Sequence, residues 1–203
     1  MRRYLLMLRQ RAGAVALAVA TGLTAGCLPE VQAPKEKGLT ARDVEASEGM
    51  ALETVCVPSG PERCFDAVDD NCNGVIDEGC GLQTGILQFV IAWQERETDI
   101  DLNVSGPDGE LARYDEPTES GLLKDRDCPG AEDECRGQNV ENVFLAEGAP
   151  RRGRYRVVVR LEDLRDATGP IRVRLSARVG QRIFSTIVEV SRRVEQKEFA
   201  FTL

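Results

Sequence analysis

Hydrophobic and polar residues alternate along most of the chain between residues 84 and 203. A first run places hydrophobic residues at every second position, at Leu87, Phe89, Ile91 and Trp93. A second run has Ile100, Leu102 and Val104, with Asp99, Asp101 and Asn103 between them. A period of two sends alternate side chains to opposite faces of a strand, so both runs predict half-buried β-strands.

The same pattern predicts further strands over residues 111–114, 142–145, 155–161, 171–179, 182–190 and 198–203. Turn residues separate these runs, and Gly180-Gln181 fits a two-residue hairpin loop. Seven or eight strands without helical periodicity predict an all-β fold. We expect an antiparallel β-sandwich over residues 84–203.

The first 26 residues have a different pattern. Arg2 and Arg3 precede an apolar stretch over residues 12–23, and small residues then lead into Cys27. This order is typical of an export signal, and the apolar stretch is too short to span a bilayer. The segment resembles a bacterial lipoprotein signal, which implies that Cys27 is lipidated and that residues 1–26 are removed. We therefore expect an exported protein anchored in a membrane, namely the outer membrane of a Gram-negative bacterium. The alternative is an ordinary secretory signal followed by an unmodified Cys27.

The number of cysteines agrees with a lipid on Cys27. The chain has seven cysteines, and assigning one to the lipid leaves six for three disulfides. Cys56, Cys64, Cys72 and Cys80 lie eight residues apart and allow three pairings. We expect Cys64 to pair with Cys72 and Cys56 with Cys80, while Cys128 and Cys135 close an acidic loop.

Residues 27–54 are rich in Glu, Lys, Pro and Ala and contain no aromatic residue. Such a segment buries too little apolar surface to order itself. We predict a disordered tether, with a short helix over residues 41–51 as the alternative.

Residues 55–82 form a Cys-rich acidic segment with an ordered pattern of oxygen ligands. Asp69, Asn71 and Asn73 occupy alternate positions, and Gly74 follows where the chain must turn sharply. A hard cation needs six to eight oxygens at once, so the spacing predicts a calcium loop. The expected ligands are Asp69, Asn71, Asn73, the carbonyl of Val75, Asp77 and Glu78. The alternative is a disulfide knot whose acidic side chains face water.

The segment between Cys64 and Cys80 resembles the thrombospondin type 3 repeat and, more closely, the MopE-like metal-binding motif of Gram-negative surface proteins. The MopE-like family is named for copper, but this loop offers no His, Met or free thiolate, so its ligands favour Ca²⁺. We expect weak binding, with a Kd of about 10⁻⁴ to 10⁻³ M.

Charge and composition narrow the function further. Residues 27–150 hold 28 acidic and 9 basic residues, whereas residues 151–203 hold 13 basic and 6 acidic residues. The acidic excess argues against nucleic acid as a partner and suits a cation. The chain has no histidine, which excludes a Ser-His-Asp triad and the usual zinc sites.

The sandwich region resembles the YfaP-like family of exported bacterial domains. The resemblance rests on Trp93, on residues 98–104 (TDIDLNV), 107–110 (PDGE), 141–143 (ENV) and 149–157. It implies a β-sandwich fold and leaves the activity undefined. Asn103 stands where that family often has His.

Two further groups of residues in the sandwich are candidates for function. Asp99, Asp101, Asp125 and Asp127, with Glu141, are candidates for a second cation site, although turn and strand-end carboxylates are the favoured interpretation. The second group is an arginine-bearing sheet face. It would comprise Arg152, Arg154, Arg156, Arg160, Arg172, Arg174 and Arg178. Such a face suits a glycan, but ion pairing across strands is the simpler explanation.

The sequence therefore favours a lipid-anchored binding protein rather than an enzyme. In this hypothesis, a calcium-stabilised neck presents a β-sandwich to a surface glycan or protein. A purely structural envelope component is the alternative. A carboxylate-based hydrolase using Asp99 and Asp125 is less favoured, because no motif fixes that pair.

Overall fold

The computed structural model describes residues 44–132, 135–145 and 148–203, which belong to one compact unit. The predicted export signal, Cys27 and residues 27–43 of the predicted tether lie outside these residues. The described residues form strands and loops without a helix. Within them, no helix has the length and hydrophobicity to cross a membrane.

Between residues 44 and 203, the described part of the chain forms ten strands in two antiparallel sheets, which confirms the predicted all-β fold. They are β1 (Glu45–Ala46), β2 (Ala51–Leu52), β3 (Leu87–Ala92), β4 (Asp99–Ser105), β5 (Leu122–Cys128), β6 (Val140–Leu145), β7 (Arg154–Asp163), β8 (Ile171–Val179), β9 (Arg182–Val190) and β10 (Gln196–Thr202). The four-stranded sheet has the order β1-β10-β7-β4, and the six-stranded sheet has the order β2-β9-β8-β3-β6-β5. Gly180 and Gln181 join β8 to β9 as predicted.

The inner faces of the two sheets form one hydrophobic core. The predicted alternation is present in β4, where Ile100, Leu102 and Val104 are fully buried and the residues between them are half-buried. Phe201 of the four-stranded sheet contacts Phe89 and Phe184 of the other sheet, with ring centroids 5.7 and 5.5 Å apart. Tilted ring pairs at this separation stabilise a core beyond their buried area.

The Cys-rich segment covers the outer face of the six-stranded sheet. A second hydrophobic cluster joins the segment to the sheet and comprises Ala67, Ile76, Leu82, Val90, Ala92, Val140 and Ile183. The Ser176 hydroxyl donates to the Ala67 carbonyl at 2.6 Å, and Gln88 donates to the Ile76 carbonyl at 3.2 Å. Every residue of β3 is buried, because this strand has the core on one face and the segment on the other. The segment therefore packs on the sandwich and is not a separate neck.

The observed disulfides differ from the expected pairing in the Cys-rich segment. Cys56 bonds to Cys72, and Cys64 bonds to Cys80. Our expected pairs, Cys64 with Cys72 and Cys56 with Cys80, are wrong, because the predicted calcium loop folds back so that each cysteine meets the one 16 residues away. The bond between Cys128 and Cys135 confirms the remaining pair.

Two other expectations need correction. The tether does not extend to residue 54, since β1 pairs with β10 and β2 pairs with β9 at the sheet edges. Residues 111–114 form only isolated bridges, and the strand on that side of the sandwich is β5, which the pattern did not predict. The alternation of hydrophobic and polar residues does not reveal β5, because the charged residues Lys124 and Asp127 are buried where the pattern expects hydrophobic ones.

Candidate metal centre

The predicted calcium loop, residues 69–78, folds around the side chain of Asp69. Its two carboxylate oxygens accept hydrogen bonds from the N–H groups of Asn73 at 3.0 Å and Gly74 at 2.8 Å. The side-chain oxygen of Asn71 accepts the N–H of Asn73, and that of Asn73 accepts the N–H of Val75. Gly74 has φ of 86°, so the chain turns sharply where the sequence predicts it. The oxygen-bearing side chains at alternate positions therefore share one side of a closed turn.

Glu78 completes this group of oxygen-bearing side chains. Its Oε1 accepts hydrogen bonds from the amides of both Asn71 and Asn73. Its Oε2 is buried and has no hydrogen-bond partner within the described part of the chain. The Nδ2 groups of both amides face Glu78 while their Oδ1 atoms accept backbone N–H bonds, so a cation beside Glu78 would require both amides to turn their oxygens towards it.

Glu62 belongs to the same group, although the sequence analysis did not select it. Its Oε1 accepts the N–H of Asn71 at 3.0 Å, and its Oε2 is a second buried oxygen without a partner among the described residues. Burial raises the pKa of Glu62, and the charges of Glu78 and Asp69 add to that effect. Glu62 precedes Cys64 and lies outside the spaced motif. The only sequence signal for it was its position beside a cysteine that bonds to the far end of the loop.

The structure turns Asp77 away from these ligands. One of its oxygens accepts the N–H groups of Phe65 at 2.8 Å and Asp66 at 3.4 Å, and the other accepts that of Ala67 at 3.0 Å. Burial raises its pKa to about 6, and the three hydrogen bonds oppose that shift. Asp77 thus holds residues 65–67 in place, and we leave it out of the proposed ligand set.

Asp70 is likewise structural. It accepts a hydrogen bond from Ser59 at 2.6 Å and an ion pair from Arg63 at 2.9 Å, and these partners lower its pKa. The four carboxylates of the loop of residues 69–78 therefore divide into two sets. Asp69 and Glu78 face the predicted cation position, whereas Asp70 and Asp77 fasten the loop.

A second acidic group lies at an open edge of the sandwich, where β4 approaches β5 and β6. Carboxylate oxygens of Asp99, Asp101 and Glu141 lie within 4.8 Å of one another. Burial raises the pKa of Asp99 to about 6, and the charges of Asp101 and Asp127 add to it. Of the predicted second set, Asp99 and Asp101 come together with Glu141, and Asp127 lies beside the group, hydrogen-bonded to Glu141. Asp125 does not, because its carboxylate binds the Gln83 N–H at 2.7 Å and the Asn142 amide at 2.5 Å.

The predicted arginine face does not exist as one surface. Arg154, Arg156 and Arg160 lie on β7 of the four-stranded sheet, while Arg172, Arg174 and Arg178 lie on β8 of the six-stranded sheet. On β7 the arginines pair with acids, as Arg156 does with Glu198 at 2.8 Å. The arginines of β7 therefore fit the simpler expectation, in which they form ion pairs with acidic residues across strands.

A cleft of about 590 Å³ opens between the Cys-rich segment and the six-stranded sheet. The cleft is lined by charged residues from both, including Arg63, Asp66, Glu95, Arg172 and Arg174, and by Phe65. Arg172 and Arg174 of the predicted arginine face thus take part in a different surface from the one expected.

A comparison of the chain with protein-family models, with curated proteins and with solved structures finds no match. The lipoprotein, MopE-like and YfaP-like resemblances therefore stay predictions.

Proposed function

We propose that this protein is an exported, lipid-anchored protein of the cell envelope that binds calcium in the loop of residues 69–78. In this proposal Cys27 holds the chain in the membrane. The bound ion braces the Cys-rich segment against the sandwich, and the adjoining cleft takes a surface glycan or protein. The function is one of binding, without a catalytic step.

The observation that carries the calcium proposal is the convergence on Glu78. Asn71 and Asn73 both approach one oxygen of this carboxylate, and the other oxygen is buried without a partner in the described residues. A buried carboxylate oxygen without a partner is costly, and a cation removes that cost. All the atoms proposed to coordinate the ion are oxygens, which a hard cation prefers. Asp69, Asn71, Asn73, Glu78 and the newly found Glu62 form the proposed ligand group, with the Val75 carbonyl as a further candidate.

The cleft gives the ion a role in binding a partner. Arg63 lines the cleft and also pairs with Asp70, which is the residue next to the proposed ligand Asp69. An ion that orders the loop therefore also fixes one wall of the cleft. Three arginines in the lining suit a ligand that carries carboxylate, sulfate or phosphate groups, and the half-buried ring of Phe65 suits contact with a sugar ring. An acidic or sulfated glycan fits this lining best.

Calorimetric titration of the whole chain with CaCl₂ tests the proposal. We expect saturable binding in the millimolar range or below, reduced in Asp69→Ala and retained in full in the control Asp166→Ala, which removes an exposed acid from a surface loop. Equal binding by the parent and Asp69→Ala would contradict the loop as the site. Palmitate labelling in a bacterial host, compared with Cys27→Ser, tests the anchor.

The partner requires a separate measurement. Screening the protein against acidic and sulfated glycans, with calcium and with chelator, should show binding that needs calcium and is lost in Arg172→Ala combined with Arg174→Ala. The matched control, Arg154→Ala combined with Arg156→Ala, changes the same number of charges on the opposite sheet. If the parent binds no glycan or surface protein, the protein is a structural component of the envelope instead.

A further inference from the structure

The acidic group between the two sheets has a geometry that the proposed calcium loop does not explain. Asp99 and Asp101 come from β4, the edge strand of the four-stranded sheet, and Glu141 comes from β6 of the six-stranded sheet. Their carboxylate oxygens lie within 4.8 Å of one another. One small ion would therefore be within reach of both sheets at once.

Glu141 points into the sandwich, where a carboxylate is unusual. It is fully buried, and its Oε2 accepts the Leu102 N–H at 2.5 Å and the Lys124 ammonium at 2.9 Å. Its Oε1 is buried and accepts no N–H or ammonium group among the described residues, and the same holds for Asp99 Oδ1. A hydrogen bond joins the carboxyl groups of Glu141 and Asp127, and burial together with this second acid raises the pKa of Glu141. Buried oxygens that accept no N–H or ammonium group require an explanation. Here two of them belong to one acidic group.

The positive charges nearby are too few for the carboxylates. Asp127 lies directly opposite Glu141 in the β5–β6 register, which brings two acids together across the strands. Lys124 contacts both, at 2.9 Å from Glu141 and 3.7 Å from Asp127. Arg165 and Arg160 act on Asp99 and Asp101 from the exposed side, but Glu162 opposes them, and the pKa values of Asp99 and Asp101 are still raised, chiefly by burial. The group thus contains two buried carboxyl groups, Asp127 and Glu141, and two half-buried ones, Asp99 and Asp101, with Lys124 as the one buried cation among the described residues.

We propose that Asp99, Asp101 and Glu141 bind a second hard divalent cation, which joins the two sheets at this edge. Calcium is the ion we assign, because every donor is an oxygen and Cys128 on β5 is held in a disulfide. Lys124 remains on Glu141 Oε2, and the ion takes the side of the group formed by Glu141 Oε1 and the two aspartates of β4. Asp127 supplies a further negative charge beside it. The site is independent of the loop of residues 69–78 and does not rest on the proposed function.

Equilibrium dialysis of the whole chain against ⁴⁵Ca²⁺ tests this inference. The parent should bind two ions, Asp69→Ala one, Asp101→Asn one, and the double variant none. Asp163→Asn is the matched control, because it makes the same chemical change at an exposed residue of β7. Asp163 lies opposite Asp99 in the register of the two strands. If Asp101→Asn binds as many ions as the parent, the second site is wrong and the loop proposal is untouched. If Asp69→Ala binds as many as the parent while Asp101→Asn loses one, only the loop proposal fails.

Thermal unfolding separates loss of the site from damage to the fold. In chelator, Asp101→Asn should melt at the same temperature as the parent or higher, because it removes one charge from a crowded acidic group. With calcium added, it should show a smaller rise in melting temperature than the parent and than Asp163→Asn. A melting temperature in chelator well below that of the parent, with an unchanged response to calcium, would assign Asp101 a structural role and overturn the inference.

Discussion

The hydroxyl of Ser176 on β8 donates a 2.6 Å hydrogen bond to the carbonyl of Ala67 in the Cys-rich segment. Ser176 is buried on the outer face of the six-stranded sheet, and Ala67 is buried in the hydrophobic cluster between the Cys-rich segment and that sheet. This contact spans 109 residues of sequence and fastens the loop to the sandwich. The predicted neck is thereby part of the folded body, so a change in the loop reaches the sheet directly.

Replacing Ser176 with alanine should destabilise the protein. The Ala67 carbonyl would lose its donor in a buried position, which costs about 1–3 kcal/mol in the free energy of unfolding. Urea unfolding under oxidising conditions measures the loss. Ser185→Ala is the control, since Ser185 is the half-buried register partner of Ser176 on β9. A loss no greater than that of the control would show that the contact does not fasten the loop.

The disulfide pattern makes a second prediction. Cys56→Ser with Cys72→Ser removes one whole disulfide, so alkylation without reduction should find no more free thiols than in the parent. Cys64→Ser with Cys72→Ser breaks two disulfides and should add two free thiols, at Cys56 and Cys80. Intact mass after alkylation gives the count. The opposite result would restore the pairing expected from the sequence.

A third prediction follows from the same pair. The Cys56–Cys72 bond closes a loop of 16 residues, and a loop of that size contributes about 3 kcal/mol by restricting the unfolded chain. The variant with both cysteines changed to serine should lose about that much in urea unfolding, and its loop should bind calcium more weakly. A variant that keeps the stability of the parent would mean that the hydrophobic contacts of Ala67 and Ile76 hold the segment by themselves.

The period-two pattern was sufficient to predict the sandwich, because one face of most strands packs on the core and the other meets water. It failed at β5, where Lys124, Asp127 and the neighbouring acids alternate with too few hydrophobic residues. Burial of a lysine depends on Glu141, which lies 17 residues further along the chain, and a local pattern contains no such information. The buried ion pair between Lys124 and Glu141 is therefore the reason why the sequence pattern does not predict β5.

The spacing of Asp69, Asn71 and Asn73 was sufficient to predict a shared turn that Gly74 closes, while their role as calcium ligands stays a prediction. It could not separate Asp77 from them, because the backbone N–H groups that bind Asp77 come from residues 65–67. Glu62 reaches the loop from outside the motif. The disulfide pairing was equally hidden, because evenly spaced cysteines leave all three pairings open until the fold brings two of them together.

Tyr155 gives a prediction for alkaline pH. Its ring is buried, and its hydroxyl donates to the Arg151 carbonyl at 2.9 Å. Burial raises the pKa of Tyr155 from 10 to about 12, with the Asp108 charge adding to the shift. Because the unfolded chain ionises first, the stability due to Tyr155 is present below pH 10 and is lost as the pH rises towards 12.

The comparison with Tyr155→Phe isolates this effect. Below pH 10 the variant should be less stable by about 1 kcal/mol, the usual contribution of one hydrogen bond. Between pH 10 and 12 the difference should shrink, since phenylalanine does not ionise. Urea unfolding of both proteins across this range gives the difference at each pH. A constant difference would mean that Tyr155 ionises equally easily in the folded chain.

Lys124 and Glu141 form a buried ion pair, so removing one partner should cost more than removing both. Burial lowers the pKa of Lys124, but Glu141 and Asp127 outweigh that effect, and the ammonium stays charged. Lys124→Met leaves Glu141 and Asp127 without their cation, which should cost about 3–5 kcal/mol in chelator. Adding Glu141→Leu should recover part of that loss, because the unpaired buried charge is then gone, although the Leu102 N–H loses its acceptor. Urea unfolding of the parent, the two single variants and the double variant measures the coupling, and additive losses would contradict the pair.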